Sequence, residues 1–189
     1  MSPFAYVATL TSIVLGLGIA RILSGLGALL QNRSKRTIYW VHSLWGFNVL
    51  LFLLLNWWIL YRWHAQSNWT FFLFIFILIS PILSFLLSVL LFPDSLASIN
   101  DFKHHFYQNH HWFFAIAAAL PLLDAADTLL KGWDHFISQG AIYPTTIGLI
   151  FILSLIAAMT KKERYHKFFA VFFLVYILVF ISINLRTLT

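Results

Sequence analysis

Six apolar runs, each long enough to cross a bilayer as a helix, constrain this chain more than any other feature. They are Phe4 to Leu30, Ile38 to Tyr61, Trp69 to Phe92, Trp112 to Leu130, Ile142 to Met159 and Phe168 to Leu185. Crossing ~30 Å of hydrocarbon at ~1.5 Å per residue takes roughly 20 residues, and all six meet or approach that length. The expected fold is therefore all-α, a polytopic membrane bundle of six transmembrane helices. Residues 1–189 form a single domain, because the connections are too short for a second folding unit. The chain is 61% apolar and only 10% charged, with a mean hydropathy of +0.85, more apolar surface than a soluble core of 189 residues absorbs. The first run starts at Phe4 with no basic residue before it, the pattern of a retained span rather than a cleavable signal. There is no cysteine, so thiolate metal sites and disulfides are excluded.

The basic residues predict the orientation. Arg33, Lys35, Arg36, Lys103, Lys161, Lys162, Arg164 and Lys167 fall in or beside the loops of one side; Arg62, Lys131 and Arg186 fall on the other. Short loops rich in Lys and Arg stay cytoplasmic, so both termini are expected on the non-cytoplasmic side. For a bacterial host that membrane is the inner, cytoplasmic one. The net charge of +6 then reads as a topology signal and an attraction to anionic lipid headgroups. Nucleic acid is not an expected partner, because no basic stretch is interleaved with exposed aromatics on a soluble surface.

The longest connection, 93–111, carries Leu96, Ile99, Phe102 and Phe106 at a helical period. It predicts a short amphipathic helix on the cytoplasmic interface, capped by Asp94 or Ser95. Asp101, His104, His105 and Gln108 occupy its opposite face. A solvated polar face is the preferred reading for them, with metal coordination by Asp101, His104 and His105 as the alternative. Pro81 and Pro121 interrupt helices three and four and free the carbonyls of Ile77 and Ala117. Membrane helices tolerate proline well, so helix packing is favoured there over cavity formation.

The first helix sorts into three stripes on a 100-degree wheel. Ala5, Thr9, Ser12, Gly16, Ala20, Ser24 and Gly27 form a seam of small residues, expected to pack centrally or at a contact between copies in a homo-oligomer. Gly18, Arg21, Gly25 and Ala28 form a second stripe. Leu15, Ile19, Ile22 and Leu26 form a bulky stripe suited to lipid.

Ionisable groups inside the spans carry the functional expectations. A cation within a membrane helix costs at least ~2.5 to 3.5 kcal/mol on insertion scales, so Arg21 needs a partner or water. No carboxylate within the spans shares its depth. It is read either as snorkelling to inner phosphates or hydrogen-bonding to free carbonyls, or as the inner electrostatic element of a permeation route. Asp124 and Asp127, one turn apart on helix four, form an outer acidic site on which Asn56, Thr9, Ser12 and Asn184 converge by depth. Asp127 has a simpler alternative in an ion pair with Lys131 or Arg186. His42, His110 and His111 at helix ends suggest a second function, haem ligation in a redox subunit. No GxSxG, HExxH or phosphate-loop motif is present, so hydrolytic chemistry has no support. The leading expectation is a small channel or transporter for an ion or small solute. An accessory protein docking on a larger complex is the third.

Overall fold

The computed structural model describes residues 2–31, 37–94 and 99–184. Those residues form α1 (Pro3–Gln31), α2 (Trp40–Leu60), a single 3-10 turn (Tyr61–Trp63), α3 (Phe71–Leu91), α4 (Phe102–Leu130), α5 (Trp133–Ser138), α6 (Ile142–Met159) and α7 (Glu163–Asn184). All but α5 are long and apolar enough to cross a membrane. The architecture is an all-helical membrane-type bundle, with no β-strand among the described residues. Arg33, Lys35, Arg36, Ser95, Leu96, Arg186 and the side chain of Asn184 lie outside the described residues.

Consecutive long helices run in opposite directions. Phe4 of α1 therefore meets Tyr61 and Trp69 at one end of the bundle, which we call the terminal end. At the other, basic end, Lys103 of α4 donates to Glu163 of α7 at 2.6 Å. There too Thr37 pairs with the start of α4, its amide donating to Asn100 O at 3.0 Å and its carbonyl accepting from Phe102 N at 3.1 Å. α1 packs on α2 and α3, α4 packs along α6, and α7 packs on α2.

Lipid tails are as apolar as leucine, so membrane helices associate through close packing and interhelical hydrogen bonds. Both devices are concentrated at the basic end. The Phe92 ring, at the end of α3, is wedged between two glycines: a Cβ on Gly25 of α1 would stand 2.2 Å from Phe92 Cγ, and one on Gly46 of α2 3.1 Å from Phe92 Cε2. Only a residue without a side chain fits at Gly25. His42 Nε2 binds Leu91 O at 2.9 Å, joining α2 to α3, and Asn48 Nδ2 donates to Ala170 O at 2.9 Å, joining α2 to α7.

This packing reverses the expected roles of the α1 stripes. Val7, Thr11, Leu15, Gly18, Ile22, Gly25 and Leu29 are the buried residues of α1, whereas Thr9, Gly16, Ala20 and Ser24 are exposed. The spacing of the buried set, mostly alternating three and four, is that of a helix seam. Its glycines admit the neighbouring backbones while Leu15 and Ile22 fill the grooves beside them. Smallness alone did not mark the packed face; small and bulky residues alternating along one stripe did.

The 93–111 segment also differs from expectation. Asp101 is the N-cap of the helix that begins at Phe102, its carboxylate accepting from Lys103 N at 2.8 Å and His104 N at 3.3 Å, while the expected start at Asp94 or Ser95 runs into residues 95–98, outside the described residues. From Phe102 the helix runs unbroken to Leu130. Ile99, Phe102 and Phe106 are buried against protein, so their period reports a core face rather than a lipid-facing one. At the terminal end Trp63 is buried with Val7, Leu60 and Ile77.

Candidate functional site

The helices that seal the basic end part toward the terminal end and enclose a cavity of about 640 Å³. Such a volume lies within the range of small-molecule sites. Its walls come from α2, α3, α4, α6 and α7, with Thr11 contributed by α1. Arg62, His64, Lys131, His135 and Gln139 form its rim, and Trp45, Leu87, Phe113 and Phe169 lie at its inner end. Below that end Phe92, Phe102, Phe106 and Phe114 are at most 3% exposed and close the bundle. Aromatic packing therefore closes the cavity toward the basic end.

Asp124 and Asp127 both line it, and each has its own partner. Tyr143 of α6 donates to Asp124 Oδ2 at 2.9 Å, and its oxygen lies 2.6 Å from Thr128 Oγ1. Lys131 donates to Asp127 Oδ2 at 2.6 Å, one helical turn away, and places its ammonium 4.7 Å from the centre of the Trp63 ring. Asp127 is thereby neutralised within its own helix, the simpler of the two readings its sequence allowed. Asp124 has no cation for a partner; a neutral donor, Tyr143, holds its carboxyl group on the cavity wall.

Asn56 also lines the cavity. Its Nδ2 donates back to Phe52 O at 3.0 Å, and its Oδ1 accepts from Ser80 Oγ of α3 at 2.9 Å. Ser80 precedes Pro81, and both Pro81 and Pro121 are on the cavity wall. The two positions where a helix lacks an internal N–H therefore border open space, so the preference for packing over cavity does not describe them.

Thr9 and Ser12 do not join the site. Thr9 Oγ1 donates to Ala5 O at 2.8 Å, Ser12 Oγ accepts from Trp57 Nε1 at 3.0 Å, and both line a shallow groove on the outer surface of α1. Arg21 lies apart from the cavity as well. Its Nη1 donates to Phe92 O at 3.0 Å and its Nη2 to Asp94 at 2.5 Å. The carboxylate it needs exists, in the loop just beyond α3, where a search confined to the spans does not reach.

The histidines are held one by one by backbone. His42 binds Leu91 O, His105 binds Leu90 O at 3.1 Å, and His110 Nδ1 binds Tyr107 O at 2.7 Å. Phe92 and Phe102 rings, centred 5.0 and 5.1 Å away, pack His42. His111 is exposed. Asp101 is committed to its capping role, and among the described residues no three His, Asp or Glu side chains gather closely enough to hold a metal ion.

Residues that the sequence did not nominate complete the cavity: Tyr143, Tyr176, Ser80, Arg62, His135 and Trp45. Gly132 and Gly140, at φ of 120° and 70°, bracket α5 and turn His135 and Gln139 toward the rim. Side-chain-bearing residues rarely adopt those angles. A glycine on each side of a six-residue aromatic segment was the available signal.

Comparison with known protein families, with curated proteins and with solved structures gives no match to this chain. The functional reading therefore rests on the cavity.

Proposed function

We propose that this chain is a small membrane transporter whose cavity receives a solute at the terminal end and holds it against Asp124. The observation that carries this reading is a cavity of about 640 Å³ with a carboxylate on its wall and aromatic side chains at its inner end. A standing channel needs a continuous polar path, and tightly packed rings favour a carrier that must rearrange to pass its load. An intramembrane carboxylate facing a cavity is characteristic of substrate and ion pathways. With the basic end on the cytoplasmic side the cavity faces outward, toward the periplasm in a bacterial inner membrane. Arg21 in this reading ties α1 to the end of α3 and takes no direct part in permeation.

Reconstitution in liposomes tests it, with uptake measured across a panel of small cations, amines, amino acids and sugars. Wild-type protein is expected to accelerate uptake of at least one class, and Asp124→Asn to lower that rate at least tenfold, about 1.4 kcal/mol in binding or barrier. Uptake that is indifferent to Asp124→Asn removes the residue from the mechanism. Absence of uptake of every class overturns the transport reading.

A further inference from the structure

Charge in the cavity is arranged by depth. At the rim Arg62 is exposed, and Lys131 cancels Asp127. Asp124 is the innermost charged group on the wall, six residues before the end of α4 and so ~9 Å below it. Tyr143 donates to one of its oxygens, and Tyr176 of α7 and Phe180 line the same cavity. A single carboxylate between aromatic side chains suits an ammonium-type cation, which gains from the charge and from the ring faces together. A hard metal ion asks for six or more oxygens and has no such cage here.

Further in, the wall becomes aromatic: Phe173, Phe169, Phe113 and Trp45. Two polar atoms on this wall are buried and have no hydrogen-bond partner, Trp45 Nε1 and Thr11 Oγ1, on residues 2% and 1% exposed. Native structures rarely leave a buried indole N–H unsatisfied. Both atoms are closed off from the cavity by the groups around them, so what the inner wall offers a ligand is aromatic surface. The Trp45 ring is centred 5.4 Å from that of Phe113, which precedes Asp124 on α4 by eleven residues, so the two ends of the site are ~16 Å apart.

We infer that the cavity binds an elongated amphipathic organic cation. Its positive head sits against Asp124 beside Tyr143 and Tyr176, and its apolar body lies along the aromatic wall. This assignment rests on the transporter reading of the same cavity, and it names the substrate class.

Equilibrium binding to the full chain in lipid nanodiscs, corrected with empty discs, tests it apart from transport. The probe is a trimethylammonium carrying a ten-methylene chain. Its comparators are the uncharged tert-butyl isostere and tetramethylammonium, which lacks the apolar body. Wild-type protein is expected to bind the long-chain cation at least tenfold tighter than the isostere, and Asp124→Asn to erase that preference. It is also expected to bind the long-chain cation at least tenfold tighter than tetramethylammonium, because the chain lies along the aromatic wall. Equal binding of cation and isostere to wild-type protein overturns the inference, even if Asp124→Asn fails to fold, and so does a preference that survives Asp124→Asn. Equal binding of the long-chain cation and tetramethylammonium overturns the assignment of the apolar body. Asp124-dependent binding without flux in liposomes sinks the transport reading and keeps this one. Asp124-dependent uptake of another solute, with no competition from the probe, does the reverse.

Discussion

The two ends of this bundle are built from the same helices and solve opposite problems. At the basic end Phe92, Phe102, Phe106 and Phe114 fill the space between helices, and His42, His105, His110 and His166 each hold a backbone carbonyl. At the terminal end the same helices stand apart around about 640 Å³, with prolines, hydroxyls and a carboxylate on the exposed wall. Within a helix a related contrast runs from face to face. A Cβ on Gly18, Gly25 or Gly46 would press on a neighbour, whereas Gly16, Gly27 and Gly148 have nothing within 4 Å of that position. Glycine that faces a neighbouring helix is an instrument of close approach. Where no partner helix arrives, as at Gly27, the same residue type specifies nothing about packing.

The contrast breaks most sharply at Gly25. A methyl group there cannot avoid the Phe92 ring, which is buried and pinned between two helices. Gly25→Ala is expected to cost about 3 kcal/mol, the upper part of the range for overpacking, and to lower sharply the yield of monodisperse protein. Trimming the ring in the double variant Gly25→Ala, Phe92→Leu is expected to restore part of the loss, because the two sites are in contact and their effects do not add. A Gly25→Ala protein that melts like wild type would show that the basic end is not sealed as described.

Adding bulk at the terminal end is expected to have the opposite signature. Thr146 lines the cavity on α6, and its hydroxyl only donates back to Ile142 O at 2.8 Å. Thr146→Phe places a ring in open space, so the melting temperature is expected to hold or rise slightly while uptake and cation binding fall at least tenfold. Destabilisation as large as that of Gly25→Ala would mean that the cavity wall is as tightly packed as the floor.

The bundle itself was legible because six apolar runs of spanning length admit few other folds. Its interior was legible only in part. Asp124, Asp127 and Asn56 came together because depth along a helix follows from residue count. Thr9 and Ser12 failed because depth leaves the rotation of α1 undetermined, and Thr11 faces the cavity in their place. That rotation depends on Phe92, distant in sequence, fitting against Gly25, and no periodicity within α1 encodes the fit. For Arg21 the sequence pointed to phosphates or free carbonyls, and Phe92 O is such a carbonyl; its carboxylate, Asp94, belongs to a loop, and side-chain reach crosses the boundary between span and connection. Nothing in the sequence set Trp45 apart from the other tryptophans, yet it lines the inner end of the cavity.

The smallest effect is expected where the basic end looks most strongly tied. Glu163 receives Lys103 at 2.6 Å and Lys167 at 2.8 Å, a three-charge cluster joining the starts of α4 and α7. These side chains remain accessible to water, where the attraction is weakened by the solvent and offset by the entropy of holding two long side chains in place. The burial of Phe102, Phe106 and Phe169 nearby involves no comparable exchange with water. Glu163→Gln is therefore expected to leave the melting temperature almost unchanged in moderate salt and to leave uptake intact. A drop comparable to that from Gly25→Ala would shift the cause of the seal from ring packing to surface charge, and the distinction between the two ends would have to be redrawn in electrostatic terms.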